Sequence, residues 1–263
     1  FDIISKRNPA IKELYRLRLK RRARQEQGLA FVRGRQLIQS IGEHFTFERI
    51  FTHEPRDKWR GYRAEAITRV PQPVLQHILF GGTRQQYAKL LDDDEFVVGT
   101  IKQPAATSFE KPIKWLLAID GVKQPDNMGL LLSSAVALKY DGIFVLGGAV
   151  DPFNYKVLEA SQAVAWTLPY CFGTADELIS LCKRQRLARC VADLNGVRAS
   201  QMPSRPDSTQ GFCLAIGSET HGVSQEVRSG GTLVAMPMSE LVDSLNAGVA
   251  GGILMHALAC KWG

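Results

Sequence analysis

Met236-Pro237-Met238 and, a few residues on, Asp243-Ser244-Leu245-Asn246-Ala247-Gly248-Val249-Ala250 form the most informative segment of this 263-residue chain. The apolar run at 233–236 reads as a buried strand that stops at Pro237, and 246–262 reads as a helix. Between them lies a short polar loop. Asn246, just ahead of the helix, has the side chain of an ordinary N-cap. A polar loop between a buried strand and a helix is also where open α/β sheets bind ligands.

Working outward, the same texture recurs. Apolar runs at 115–119, 142–146, 163–168, 188–192 and 212–216 read as further strands. Helices are expected at 129–139, 154–160 and 176–184. Continuous apolar strands alternating with helices indicate a largely parallel sheet covered on both faces. Upstream, residues 103–111 are rich in Pro, Ala, Thr and Ser and read as a linker. The first half reads as a small mixed α/β domain. It has a helix from Pro9 to about Gln25 capped by Asn8, strands at 29–32, 47–52 and 96–101, and helices at 36–41 and 73–79. The expected domains are residues 1–103 and 112–263, joined by a linker at 104–111.

Charge separates the two halves further. Residues 1–36 hold 11 Lys/Arg and 3 acids, so they exceed the whole chain's formal net charge of +7 by one. The remainder is almost neutral. A uniformly basic, histone-like protein is excluded, and a globular body with a basic head points to a polyanion partner or a targeting segment. Hydrophobic residues make up 45% of the chain, enough for a real core. The longest apolar stretch, 247–255, is too short and too glycine-rich to span a bilayer. Five cysteines without a CxxC, and no glycosylation sequon, favour a reducing intracellular compartment. The start at Phe1 rather than Met fits a processed or truncated chain, in which a targeting peptide would not be seen.

Common catalytic signatures are missing. No GxGxxG, GxxxxGK[ST], GxSxG or HExxH occurs, and the five histidines lack metal-ligand spacing, so no metal is expected. Three polar clusters remain, each just after an expected strand. They are Asp126-Asn127-Met128-Gly129, then Gly217-Ser218-Glu219-Thr220-His221-Gly222, then the Met236–Asn246 segment. Singly, Asn127 and Asn246 read as N-caps, Glu219 as a solvated loop acid, and the glycines as turn residues. Together, at equivalent strand ends, the clusters can line one pocket.

In order and wording the clusters resemble the SpoU/TrmH family of RNA ribose 2′-O-methyltransferases, within the SPOUT superfamily. Asn127-Met128-Gly129 matches the family's first motif. Gly217-Ser218-Glu219-Thr220-His221-Gly222 matches the second. Met236-Pro237-Met238 with Ser244-Leu245-Asn246 and the small-residue helix matches the third. Lys156-Val157-Leu158-Glu159-Ala160-Ser161 is similar to a further segment, with Glu159 in place of an Arg. Ile4-Ser5, Asn8-Pro9, Lys12, the Arg-rich helix and Phe31-Val32-Arg33-Gly34 resemble the family's N-terminal, ribosomal-protein-like RNA-binding module.

The resemblance implies a small mixed α/β RNA-binding domain followed by a SPOUT-type α/β domain with a parallel sheet and a C-terminal trefoil knot. It implies S-adenosylmethionine as cofactor, held by Leu214, Gly217, Glu219, Met236, Met238, Ser244, Leu245 and Asn246. Asn127, Glu219, Ser244 and Asn246 would position the ribose, its phosphate and the cofactor. Arg16, Lys20, Arg21 and Arg24 would contact phosphates of structured RNA, with ribosomal RNA favoured. A homodimer or a heterodimer with a related methyltransferase is implied, and an organelle such as the mitochondrion, with the cytoplasm as the alternative. Gly248, Gly251 and Gly252 would each weaken an isolated helix by about 1 kcal/mol, which close packing in the knot would explain. One departure matters. The family's first-motif Arg falls at Ser133, which carries no charge and cannot clamp a phosphate. Either another basic residue or a partner subunit supplies that role, or the chain is a catalytically silent RNA-binding assembly factor on the same fold. A small-molecule α/β enzyme would leave the basic head unexplained.

Overall fold

The computed structural model describes residues 2–80, 96–239 and 241–262. The chain divides into two compact units. The first is Phe1–Pro104 with Phe153–Ala163, and the second is Ala105–Pro152 with Val164–Gly263. The short segment at 153–163, which the sequence placed in the second domain, therefore packs within the first unit.

In the first unit, α1 (Pro9–Leu19) begins where expected, with Asn8 Oδ1 accepting from the Ala10 amide at 2.9 Å. The helix breaks at Lys20, and α2 (Arg21–Gln27) follows, ending on Gly28 in the left-handed region. Four strands, β1 (Leu29–Arg33), β2 (Phe47–Thr52), β3 (Ala64–Arg69) and β4 (Val97–Lys102), form a sheet in the order β1-β4-β2-β3. The helices α3 (Arg35–Gly42) and α4 (Gln72–Phe80) complete it. Ile11, Leu14 and Leu17 of α1 pack with Phe31, Phe51, Leu75 and Val98 in one core. The strand β3 was not expected. Its sequence Ala-Glu-Ala-Ile-Thr-Arg carries small apolar side chains on an edge position, so it lacks the bulky run of a buried strand. The segment at 153–163 carries α6 (Tyr155–Ala160), N-capped by Asn154. Its Tyr155 ring packs edge-on to Phe31 and lies beneath the guanidinium groups of Arg18 and Arg33, and Arg33 pairs with Glu159.

The second unit is a six-stranded parallel sheet. Its strands are β5 (Trp115–Asp120), β6 (Gly142–Leu146), β7 (Tyr170–Gly173), β8 (Leu187–Arg198), β9 (Gly211–Gly217) and β10 (Thr232–Ala235), in the order β10-β8-β9-β5-β6-β7. Alternate residues explain the continuous apolar runs. Leu116 and Ala118 share a core with Leu178 and Leu181 of α7 (Ala175–Arg184), while Leu117 and Ile119 are equally buried on the opposite face. The expected strand at 163–168 is instead a turn of 3-10 helix, Val164–Trp166, and the strand lies beyond it at Tyr170–Gly173. Gln162 and Ala163 have φ of 53° and 59°, so the chain turns just where the apolar run suggested extension.

Two long helices matter for the site. α5 (Pro125–Ala137) follows β5, and, after the one-turn α8 (Gln225–Arg228), α9 (Ala247–Trp262) is the last element. A Cβ on Gly248 would lie 2.7 Å from the Leu130 side chain, and one on Gly251 would lie 2.2 Å from that of Leu131. The glycines of α9 thus admit the side chains of α5. The packing is helix against helix. The chain winds from β5 outward to β7, then returns to place β9 beside β5. Brought together at this reversal are the carboxyl ends of β5 and β9, where Asp120 pairs with Gly217.

Candidate functional site

The loop leaving β9 is built around two glycines with different needs. Gly217 has no room for a side chain, since a Cβ there would sit 2.0 Å from the Gly222 carbonyl carbon. Gly222 has space but a φ of +66°, which disfavours other residues. The Gly222 amide donates to the Ser218 carbonyl at 2.8 Å and closes the turn. Asp120 anchors its far side, its Oδ2 accepting from the Ser224 amide at 2.7 Å. Glu219 is presented at the tip.

Three expected residues meet there. Asn127, in the first turn of α5, is 4% exposed and donates from Nδ2 to Glu219 Oε1 at 2.7 Å. Asn246 donates from Nδ2 to Asn127 Oδ1 at 2.6 Å. The Ala247 amide also donates to Glu219 Oε1, at 3.2 Å. Asn246 Oδ1 accepts from the Gly248 and Val249 amides, so it caps α9. That cap fixes which end of each amide faces which neighbour: Asn246 must turn its NH2 to Asn127, and Asn127 its NH2 to Glu219. Asn246 is thus an N-cap and a member of the network at once. Asn127 is no N-cap, for α5 starts at Pro125 and its N-cap is Gln124.

Beside this network lies a cavity of about 340 Å³, within the range of small-molecule sites. Gly217, Glu219, Met236, Met238, Ser244 and Leu245 are on its wall. Two expected residues are not. Leu214 is fully buried within β9, flanked by Leu117 and Cys190, and Asn246 stands behind the wall in the network. Ser133 is on neither this wall nor that of the neighbouring cavity. It is half-buried in α5, six residues or about 9 Å of rise beyond Asn127. Unforeseen wall residues come from the second half of β8, where Asp193 pairs with Arg228 at 2.6 Å and Asn195 follows. Ala192-Asp193-Leu194-Asn195-Gly196 is a fourth polar cluster ending an apolar run, so the signal was present in the sequence.

A second, smaller cavity of about 230 Å³ adjoins the network and shares Ser218, Glu219, Thr220 and Ala247 with the first. Its other walls are Val122, Lys123, Gln124 and Asn127.

In the first unit the four expected RNA contacts separate. Arg16 and Lys20 are exposed and line a shallow depression with Arg22, Ala23 and Glu26. Arg21 is half-buried. Arg24 must be corrected, because it is only 2% exposed and cannot reach a phosphate. Its guanidinium donates to the Leu17 carbonyl at 2.7 Å and the Arg18 carbonyl at 3.3 Å. It satisfies carbonyls left unpaired by the break at Lys20.

The family description "SpoU rRNA Methylase family" matches residues 114–256, which takes in both cavities. The chain belongs to the SpoU rRNA methylase family. It is similar to an uncharacterized tRNA/rRNA methyltransferase of Synechocystis sp., at 26% identity over 97% of this chain and 92% of that protein. It is also similar to the Bacillus subtilis 23S rRNA (guanosine-2′-O)-methyltransferase RlmP, at 27% identity over 54% of this chain and 57% of that one. Its fold matches the crystal structure of the SpoU methyltransferase AviRb from Streptomyces viridochromogenes in complex with AdoMet. That match has a TM-score of 0.80 and 22% identity, and covers 97% and 98% of the two chains. Relatives also include mitochondrial rRNA methyltransferases of zebrafish and man, 23% and 28% identical over 63% and 59% of this chain. No helix among the described residues is long and apolar enough to cross a membrane.

Proposed function

We propose that the protein is a ribosomal RNA ribose 2′-O-methyltransferase of the SpoU/TrmH type, with S-adenosylmethionine as its cofactor. The observation that carries this reading is the Asn127–Glu219–Asn246 network standing beside a cavity walled by Gly217, Met236, Met238, Ser244 and Leu245. The donors fit the cofactor. Met and Leu side chains suit an adenine face, the exposed Glu219 carboxylate suits a cationic sulfonium, and loop amides suit polar edges. The bound cofactor supplies the methyl group. The chain's own part would be to position the groups around Glu219. Asn127 and the Ala247 amide lock one oxygen of Glu219, and its other oxygen has no hydrogen-bond partner among the described residues. Positioning of this kind accounts for much of the rate of a methyl transfer.

The proposal includes the C-terminal trefoil knot that the resemblance implies. It also includes a second copy of the chain, or a related methyltransferase, over the exposed Leu130, Val249 and Ile253 of α5 and α9. Position 133 lies on the same flank of α5 as Leu130, about 60° away around the helix, so a partner covering that flank would face it. Arg16, Lys20 and Arg21 remain the proposed phosphate contacts in the first unit. Mitochondrial and bacterial relatives both exist, and the mitochondrion is the proposed compartment.

Ser133 favours a second reading, a catalytically silent RNA-binding assembly factor that keeps the same fold as a scaffold. Calorimetric titration with S-adenosylmethionine, followed by methyl-transfer assays on ribosomal RNA with and without Ser133→Arg, separates the two. Binding with transfer supports the enzyme. Binding without transfer, rescued by Ser133→Arg, supports the silent site. No binding at high micromolar cofactor refutes the enzyme reading for the isolated chain.

A further inference from the structure

We propose that Lys123 supplies the cation that Ser133 does not, gripping a phosphate of the target RNA strand in the 230 Å³ cavity on the far side of Glu219. The inference rests on the methyltransferase reading for its biological meaning, but on its own geometry for its location.

The two cavities share the Ser218–Thr220 segment and Ala247, so Glu219 stands between them. A small molecule in the larger one and a nucleotide in the smaller one would meet across a single carboxylate. The smaller cavity is polar in the right way for a ribose and its phosphate. Gln124 and Asn127 offer amides, Ser218 and Thr220 offer hydroxyls, and Lys123 is the one cationic side chain on its wall. An RNA strand that approached Glu219 with no compensating charge would suffer like-charge repulsion. Lys123 is exposed and forms no ion pair or hydrogen bond among the described residues, although Asp126 lies only three residues on. Arg228, on the wall of the larger cavity, is already engaged with Asp193. Lys123 is a point charge on a flexible stem, so it would hold a phosphate without the bidentate geometry of an arginine.

The test uses the whole chain and the 5′-phosphorylated dinucleotide pApU as probe, titrated by nitrogen-15 NMR with and without saturating S-adenosylmethionine. The wild-type protein should show shifts at the Gln124, Asn127 and Thr220 amides. Lys123→Gln should weaken pApU about tenfold, the loss of one charge-assisted contact, and Lys123→Arg should restore it. Lys111→Gln removes an exposed charge elsewhere in the same unit and should leave the affinity unchanged. Cofactor affinity should be the same in all four proteins. Equal pApU affinity in wild type and Lys123→Gln, or an equal loss in Lys111→Gln, would overturn the proposal, as would the absence of pApU binding. Failure of cofactor binding with Lys123-dependent pApU binding intact would refute the enzyme reading and leave the phosphate site standing.

Discussion

Gly217→Ala tests whether the second-motif loop is rigid because backbone meets backbone. The added Cβ would lie 2.0 Å from the Gly222 carbonyl carbon, 2.1 Å from its oxygen and 2.2 Å from the Val223 nitrogen. Ordinary contact begins near 3.4 Å, so the two limbs of the turn must part by more than an ångström. No flexible side chain can absorb that movement. Both limbs are held, one by pairing of β9 with β5 and the other by the Asp120–Ser224 bond. Overpacking of this severity costs about 3 kcal/mol, and at about 2–4 °C per kcal/mol the melting temperature should fall by roughly 6–12 °C. Glu219 rides on the turn, so its bonds to Asn127 and Ala247 should break as well. Gly222→Ala is the contrast. It meets nothing within 4 Å and should cost about 1–2 kcal/mol of backbone strain alone. Differential scanning calorimetry with a cofactor titration reads both effects. Gly217→Ala should lose stability and cofactor affinity, and Gly222→Ala should lose stability while binding within a few-fold of wild type. A Gly217→Ala protein as stable and as competent as wild type would refute the account of the loop.

Asn246→Ala should cost about 1 kcal/mol as a lost helix cap, and the accompanying loss of the Asn127 contact should weaken cofactor binding, read by calorimetry; a purely structural cap would leave binding intact. Arg24→Ala should destabilise the first unit in urea unfolding without changing the salt dependence of RNA binding. Charge reversal of Arg16 and Lys20 should do the opposite, reducing the slope by about 0.7–0.9 per lost phosphate contact; equal effects from both changes would contradict the assigned surface. Burial pushes the Cys171 and Cys190 thiols up to about 12, and a hydrogen bond with Cys182, together with burial, raises that of Cys213. A thiol reagent at neutral pH should therefore label Cys260, the exposed one, well ahead of the others; fast labelling of Cys190 in the folded protein would contradict its burial. These raised values also carry a sign for stability. The folded chain disfavours thiolate, so the contribution is full below the unfolded value near 9 and is lost as pH rises toward 12. Urea midpoints should fall over that alkaline window and not across neutrality.

The sequence reading succeeded where one local rule determined the outcome. Asn8-Pro9 capped a helix, continuous apolar runs became parallel strands, and three polar clusters at strand ends proved to lie together. It failed where distance decided. Ala163-Val164-Ala165-Trp166 has the composition of a buried strand, yet positive φ at Gln162 and Ala163 turns the chain, and pairing with β6 begins only after Pro169. The strand β8 runs six residues past its apolar core, because β10 pairs with it through a register shift at Leu233 and Val234. Arg24 looked like one more base in a basic helix. Its burial goes with the break at Lys20, because its guanidinium donates to the Leu17 and Arg18 carbonyls in the last turn of α1.

The position of Ser133 changes what its substitution means. The network that holds Glu219 is complete without it: Asn127, Asn246 and the Ala247 amide make every contact, and none runs through position 133. The absence of an arginine there therefore leaves the larger cavity and the Glu219 geometry intact. It would remove only a charge on the flank of α5 that also carries exposed Leu130. On the proposed reading, cofactor binding and chemistry are thus separable in this chain. A silent scaffold and an enzyme completed by Lys123 or by a partner would share the same folded core, and would differ only in whether a cation reaches the smaller cavity. Ser133→Arg and Lys123→Gln should therefore leave the melting temperature and cofactor affinity of the isolated chain near wild type, while altering RNA engagement. A large change in cofactor affinity from either substitution would mean that the two functions are coupled through α5 after all.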